Sequence, residues 1–142
     1  MPTRCIINFC DGAEVEAKVY RHSDGYPAGP CGVPAALKTF FAAVKRDTKK
    51  GNGGTRFNDP CYLSAKFVVW QAAQNATDYN VKTGESVPHG RALDFLSVGI
   101  MMTDPWDIEW RYFIDCSVLD AKGYPTVRWE EARAEESKVS HG

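Results

Sequence analysis

Thr3-Arg-Cys-Ile-Ile-Asn-Phe-Cys-Asp-Gly-Ala-Glu-Val-Glu-Ala-Lys-Val-Tyr20 contains two strands and the turn between them. Residues 3–10 read as a strand, and Asp11-Gly12 is a two-residue type I′ hairpin signal. Beyond it Val15, Ala17 and Val19 alternate with Glu14, Glu16, Lys18 and Tyr20, the pattern of a half-solvated antiparallel strand. A turn-rich block follows at residues 23–30, Ser-Asp-Gly-Tyr-Pro-Ala-Gly-Pro, where Pro and Gly forbid regular structure.

Pro34 then suits a helix first turn, with Leu37, Phe40, Phe41 and Val44 at i, i+3, i+4, i+7 spacing. Lys45 and Arg46 stand near its negative end, and Lys49–Gly54 ends it. A second helix is expected over residues 60–74, with Asp59 as N-cap and Pro60 at N1. It carries Leu63, Phe67 and Trp70 on one stripe and Ala65, Val68, Val69 and Ala72 on the other side. A helix apolar nearly all round is buried on two sides, which in so small a chain predicts a subunit interface.

Residues 75–92 read as an irregular polar connection, of a length that is usually functional or mobile. Strands are expected over 93–102, 108–117 and Thr126–Trp129. The order β-β-α-α-β-β-β predicts an α+β fold, an antiparallel sheet with two helices packed on it, assembled as a homo-oligomer. Residues 1–130 form the single expected domain, and 131–142 a charged C-terminal tail, frayed or disordered from about Glu130 onward.

The 142 residues fit one domain. Seventeen Lys and Arg against eighteen Asp and Glu leave a formal charge of −1, which excludes the broad positive field of a DNA binder. The 44% apolar and 25% charged content excludes wholesale disorder. Aromatic residues at 12% predict either burial beyond a monomer's core or ring-stacking ligands. No apolar run approaches a membrane span, and the N-terminal residues show no leader pattern, so no membrane partner is expected. Five scattered cysteines, never spaced C-x-x-C, read as thiols of a cytoplasmic protein.

The chemistry of a site is sparse in this sequence. His22, His89 and His141 form no metal-ligand spacing, so no metal and no cofactor is expected. His22-Ser23-Asp24 is a triad in composition only, because a triad is a spatial arrangement; local turn bonds explain it better. Gly53-Gly-Thr-Arg-Phe-Asn58 leads into a helix N-terminus, whose amides and dipole attract anions, so Arg56 either grips a phosphate there or is a solvated side chain on a flexible connector. In Asp107-Ile-Glu-Trp-Arg-Tyr-Phe-Ile-Asp115, Ile108, Trp110, Tyr112 and Ile114 share the expected core face. Arg111 stands on the other face between Glu109 and Asp115, as a cross-strand ion pair or as a guanidinium positioned for an anion.

Three segments together, Val19-Tyr-Arg-His-Ser-Asp-Gly-Tyr-Pro27, Tyr62-Leu-Ser-Ala-Lys-Phe-Val-Val-Trp-Gln-Ala72 and Asp107-Ile-Glu-Trp-Arg-Tyr112, resemble the phage-encoded Thoeris anti-defence protein 1 family in order and spacing over residues 3–118. The resemblance implies a nucleotide sponge with no catalytic residues. It implies binding of cyclic ADP-ribose isomers such as glycocyclic ADP-ribose, and of cyclic di- and trinucleotides of CBASS systems, without cleavage. It also implies a hexamer in the cytoplasm of the infected bacterial host, with small-signal pockets at dimer contacts and trinucleotide sites near the three-fold axis. On matching positions, Arg56 and Arg111 would grip phosphates, Tyr79 and Asp94 would hold the base, and Arg21, Asp24 and Tyr26 would form the second site. A phosphodiesterase acting on the same nucleotides, with His22 and Asp24 as acid and base, and a protein-binding inhibitor are the alternatives.

Overall fold

The computed structural model describes residues 2–75, 77–80, 85–88 and 97–132, the segments 77–80 and 85–88 by their backbone. Strands β1 (Cys5–Asp11) and β2 (Glu14–Arg21) pair as the expected hairpin. Its loop is Gly12-Ala13 rather than Asp11-Gly12, because Asp11 still pairs with Glu14. Only Gly12 has a positive φ there (63°), the pattern of a type II′ turn rather than I′. Helix α1 (Val33–Asp47) follows, with Pro in its first turn and Lys45 and Arg46 in its last. After a 3-10 turn at Lys50–Asn52 comes helix α2 (Pro60–Asn75). Asp59 is its cap: Oδ1 accepts the amides of Cys61 and Tyr62, each at 3.2 Å.

Within the connection expected to be irregular, β3 (Thr77–Asn80) and β4 (Glu85–Pro88) pair as a separate two-stranded sheet. Their sequence, Thr-Asp-Tyr-Asn and Glu-Ser-Val-Pro, has too little apolar alternation to signal a strand. Next come β5 (Val98–Met101), β6 (Trp110–Leu119) and β7 (Pro125–Glu131). Residues 93–96 of the expected strand 93–102 lie outside the described residues. Glu130 and Glu131 belong to β7 instead of a frayed tail, and the amide of buried Ala132 donates to Glu109 O at 2.9 Å.

The main sheet has the order β5-β2-β1-β6-β7. It is mixed, not antiparallel, because β6 lies parallel to β1. The fold is α+β with the two helices as expected, but after them the chain re-enters the main sheet at β5, beside β2, and residues 102–109 carry it across to β6, beside β1 and parallel to it. This makes β1 the central strand, and its residues Cys5 to Cys10 are all buried.

One face of the sheet carries the main core. Cys5, Ile7, Phe9, Val19, Tyr112 and Ile114 pack against Leu37, Phe40, Phe41 and Val44 of α1 and Leu63 and Phe67 of α2. Much of the aromatic content is spent here: Phe40 meets Phe67 edge-on at 5.3 Å and Phe41 meets Phe57 at 5.7 Å. The opposite face holds a smaller cluster of Ile6, Ile108 and Ala132, with Tyr20 and Met101 against it. Ile108 therefore does not share the face of Tyr112 and Ile114. β6 begins only at Trp110, and the alternation does not extend back through Glu109, whose amide donates to Arg4 O.

Helix α2 is covered on one side. Leu63 and Phe67 are buried, while Tyr62 and Val69 are exposed, Val69 by 70%. Of the second apolar stripe, Val68 packs against the main core, while Ala65 and Val69 have no cover among the described residues. Among the described residues no helix is long and apolar enough to cross a membrane.

Candidate functional site

The structure places the candidate residues in three separate groups. Arg111 belongs to the sheet face away from the helices, since it alternates with core residue Tyr112. Its Nε donates to Asp104 Oδ2 at 2.8 Å, and Nη1 lies 3.9 Å from Glu130 Oε1 on the neighbouring strand. Lys18 Nζ donates to Asp104 Oδ1 at 2.8 Å and to Asn8 Oδ1 at 3.0 Å, and Asn8 Nδ2 donates to Tyr112 O at 3.2 Å. The partners differ from those suggested by alternation. Asp115 accepts the Gly12 and Ser117 amides instead, because β6 carries it beside the first hairpin. Arg111 is thus a guanidinium held in one orientation by a cross-strand pair and by Asp104. Beside it, the Arg128 guanidinium stacks 4.0 Å over Phe113.

Burial tends to raise the Asp104 pKa, but the bonds from Lys18 and Arg111 outweigh it and hold the carboxyl below its ordinary 3.8. A depressed folded pKa gives stability that is full above 3.8 and is lost as pH falls through the lower folded value. Asp104→Asn is expected to cost ~1–3 kcal/mol at pH 7. Urea unfolding should show the gap between variant and parent closing below pH 3.8, where the parent's own carboxyl protonates. An equal gap at neutral and acid pH would contradict the ion-pair account.

Arg56 sits on the helix side, in the connection just before α2. Its backbone is left-handed (φ 60°), its guanidinium stacks 4.5 Å over the Tyr62 ring, and Nη1 lies 4.0 Å from Asp59 Oδ2. The helix N-terminus it guards is not an open anion site. Asp59 already occupies the amides of Cys61 and Tyr62, as its own carboxylate complements the dipole. Tyr62 instead forms one wall of a groove of about 430 Å³ between the helices, with Phe40, Val44, Val69 and Trp70 as apolar lining and Lys66 as a cation. A polar recess of about 300 Å³ adjoins it at Thr48, Lys49, Asn52 and Gly54. Sequence reasoning missed Tyr62 and Lys66; the second apolar stripe of α2, read as an interface, was their signal. Arg56 and Arg111 stand on opposite sides of the sheet, so one chain does not bring them together.

Tyr79 lies in β3, opposite Ser86, where only the backbone is described, and Asp94 lies outside the described residues.

Asp24 and Tyr26 meet, and the charge of Arg21 reaches the Tyr26 hydroxyl. The Tyr26 hydroxyl donates to Asp24 Oδ1 at 3.2 Å, and Asp24 itself is left-handed (φ 54°). The turn is clamped to the sheet: Gly25 N donates to Thr3 O at 2.9 Å, and the Tyr112 hydroxyl donates to Gly25 O at 2.7 Å. A Cβ on Gly25 would stand 2.7 Å from Thr3 O, so only glycine allows this approach. Arg21, at the end of β2, is 8% exposed, and its Nη1 is buried with no hydrogen-bond partner. Opposite it in register is Cys5, whose thiol burial pushes up to about 12, so it supplies no anion at neutral pH. His22 lies against Tyr20, with ring centroids 6.4 Å apart, while the Asp24 carboxylate takes the Tyr26 hydroxyl.

Among the described residues no group of three or more His, Cys, Asp or Glu is placed to hold a metal ion. Compared with protein-family models, with curated proteins and with solved structures, the chain matches none.

Proposed function

We propose that this chain sequesters, without cleaving, cyclic ADP-ribose isomers made by TIR enzymes of Thoeris immunity, and holds cyclic di- and trinucleotides at a second site. The observation that carries this reading is the Arg21 guanidinium. A cation nine-tenths buried, with one nitrogen lacking any acceptor, costs several kcal/mol unless an anion completes it. It stands beside the Asp24–Tyr26 turn to which the family resemblance assigns the second nucleotide site. Phosphate is the anion common to all the proposed ligands, and charge-assisted bonds to a fixed guanidinium are the strong ones.

The first site is completed between copies. With Arg56 and Arg111 on opposite sides of the sheet, a diphosphate gripped by both lies between two chains, each giving one arginine. Apolar surface for such an assembly, a hexamer in the resemblance, is present: Val69 on α2, and Met102 and Trp106 after β5, are 70%, 92% and 86% exposed. The place of action is the cytoplasm of an infected bacterial host, where these signals are made.

The test is recovery of cargo. Protein is saturated with glycocyclic ADP-ribose, freed of excess ligand and heat-denatured, and the supernatant is analysed by mass spectrometry. Intact ligand that still activates a Thoeris effector is the expected result. A linear or hydrolysed product, retained or in the removed excess, would establish the phosphodiesterase reading in its place, and no retained ligand together with unchanged ligand in the removed excess would overturn both.

A further inference from the structure

One concavity among the described residues belongs to none of the three groups above. It measures about 760 Å³ and lies between α1 and the turn and strand that follow β6. That volume falls in the range of small-molecule pockets. Leu37 and Phe41 form the helix wall, and Tyr124, Val127 and Trp129 form the other. Trp129, although its ring is 6.1 Å from that of Tyr112, is 44% exposed. The cavity therefore presents aromatic surface to solvent within a concave apolar frame.

The charged groups around it are unequal. Asp120 is committed to the turn, its Oδ1 accepting the amides of Lys122 at 2.8 Å and Tyr124 at 3.1 Å. Lys38 on α1 and Lys122 on the turn both line the cavity, both are exposed, and neither has a carboxylate partner among the described residues. Lys45, one helical turn beyond Phe41, lies 5.8 Å from the Tyr124 ring centre and adds to the positive side. An apolar aromatic floor under unpaired ammonium groups suits a ligand with a flat ring system and one negative group.

We infer that this cavity is a binding site for a small aromatic anion, a fused-ring phosphate monoester or carboxylate, separate from the sites proposed for cyclic nucleotides. The ring system stacks among Phe41, Tyr124 and Trp129, and the anionic group lies between Lys38 and Lys122. Ring burial supplies most of the attraction, and the lysines select the charged form over its neutral parent.

The probe is 1-naphthyl phosphate, titrated into the full chain by calorimetry, with 1-naphthol and inorganic phosphate as controls. Saturable binding of the ester is expected, at least tenfold tighter than 1-naphthol, with inorganic phosphate alone giving no binding here. Ala42→Trp, which fills the cavity from an exposed helix position, should abolish it. The pair Lys38→Glu with Lys122→Glu should weaken the ester at least tenfold and leave 1-naphthol unchanged. Arg21→Met and Arg111→Ala should leave ester binding unaltered, so failure here and failure of the sequestration reading are separable. Equal affinity for ester and naphthol, or unchanged ester binding in a folded Ala42→Trp variant, would overturn the inference.

Discussion

Arg21→Met is expected to make the ligand-free protein more stable, by ~1–4 kcal/mol, and at the same time to remove its response to cyclic trinucleotides. The two effects share one cause. Two groups beside the Arg21 guanidinium are neutral at pH 7: the Cys5 thiol is pushed up to about 12, and the Tyr112 phenol is likewise raised by burial, while the nearby Asp24 carboxylate takes the Tyr26 hydroxyl. The buried Nη1 is left with no acceptor among the described residues. A methionine of similar length keeps the packing and removes the charge. Urea unfolding with and without cyclic triadenylate reads both effects. The parent should gain stability from the ligand, by the ordinary linkage of binding to folding, and the variant should not. A variant less stable than its parent in ligand-free buffer would show that Arg21 serves the apoprotein itself.

Arg111→Ala is expected to lower affinity for glycocyclic ADP-ribose by ~2–5 kcal/mol with the fold intact, much of it from a phosphate left facing no cation. The fold survives because Asp104 keeps its 2.8 Å bond from Lys18 when Arg111 is gone. Calorimetry on a variant with native circular dichroism provides the measurement, and unchanged affinity would leave Arg111 as a structural ion pair only. Co-assembly sharpens the point. If each site takes Arg56 from one copy and Arg111 from the next, mixed assemblies of Arg56→Ala and Arg111→Ala chains should recover about a quarter of the sites, by random pairing of copies. Sites built within one chain would recover none.

How much of this could be read before folding depends on the range of the interaction involved. The β1–β2 hairpin, α1 with its basic last turn, and the Asp59 cap of α2 were legible because each rests on contacts within a few residues. The second apolar stripe of α2 was legible too: among the described residues Ala65 and Val69 stay exposed, while Val68 packs against the core. The parallel β1–β6 pairing was missed, yet its trace was present: Cys5-Ile-Ile-Asn-Phe-Cys10 is nearly continuous in apolar residues, as suits a strand buried on both faces. The β3–β4 pair had no comparable trace, since polar strands are stabilised by backbone bonds that any sequence can make.

For the candidate residues the division is similar. Residue type marked Arg56 and Arg111 as candidates to grip an anion, the family resemblance marked Arg21, and chain proximity placed Asp24 beside Tyr26. Tertiary structure alone decided their partners. Asp104, seven residues from Arg111 and eighty-six from Lys18, joins the two cations because a sheet sets distant strands side by side. It also set Arg56 and Arg111 on opposite faces, left Nη1 of Arg21 buried with no acceptor among the described residues, and shaped the cavity between α1 and β7. Local pattern, capping and turn chemistry follow from neighbours in sequence and could be read directly. Burial, charge pairing and concavity are sums over groups that meet only after the crossover has chosen its place in the sheet.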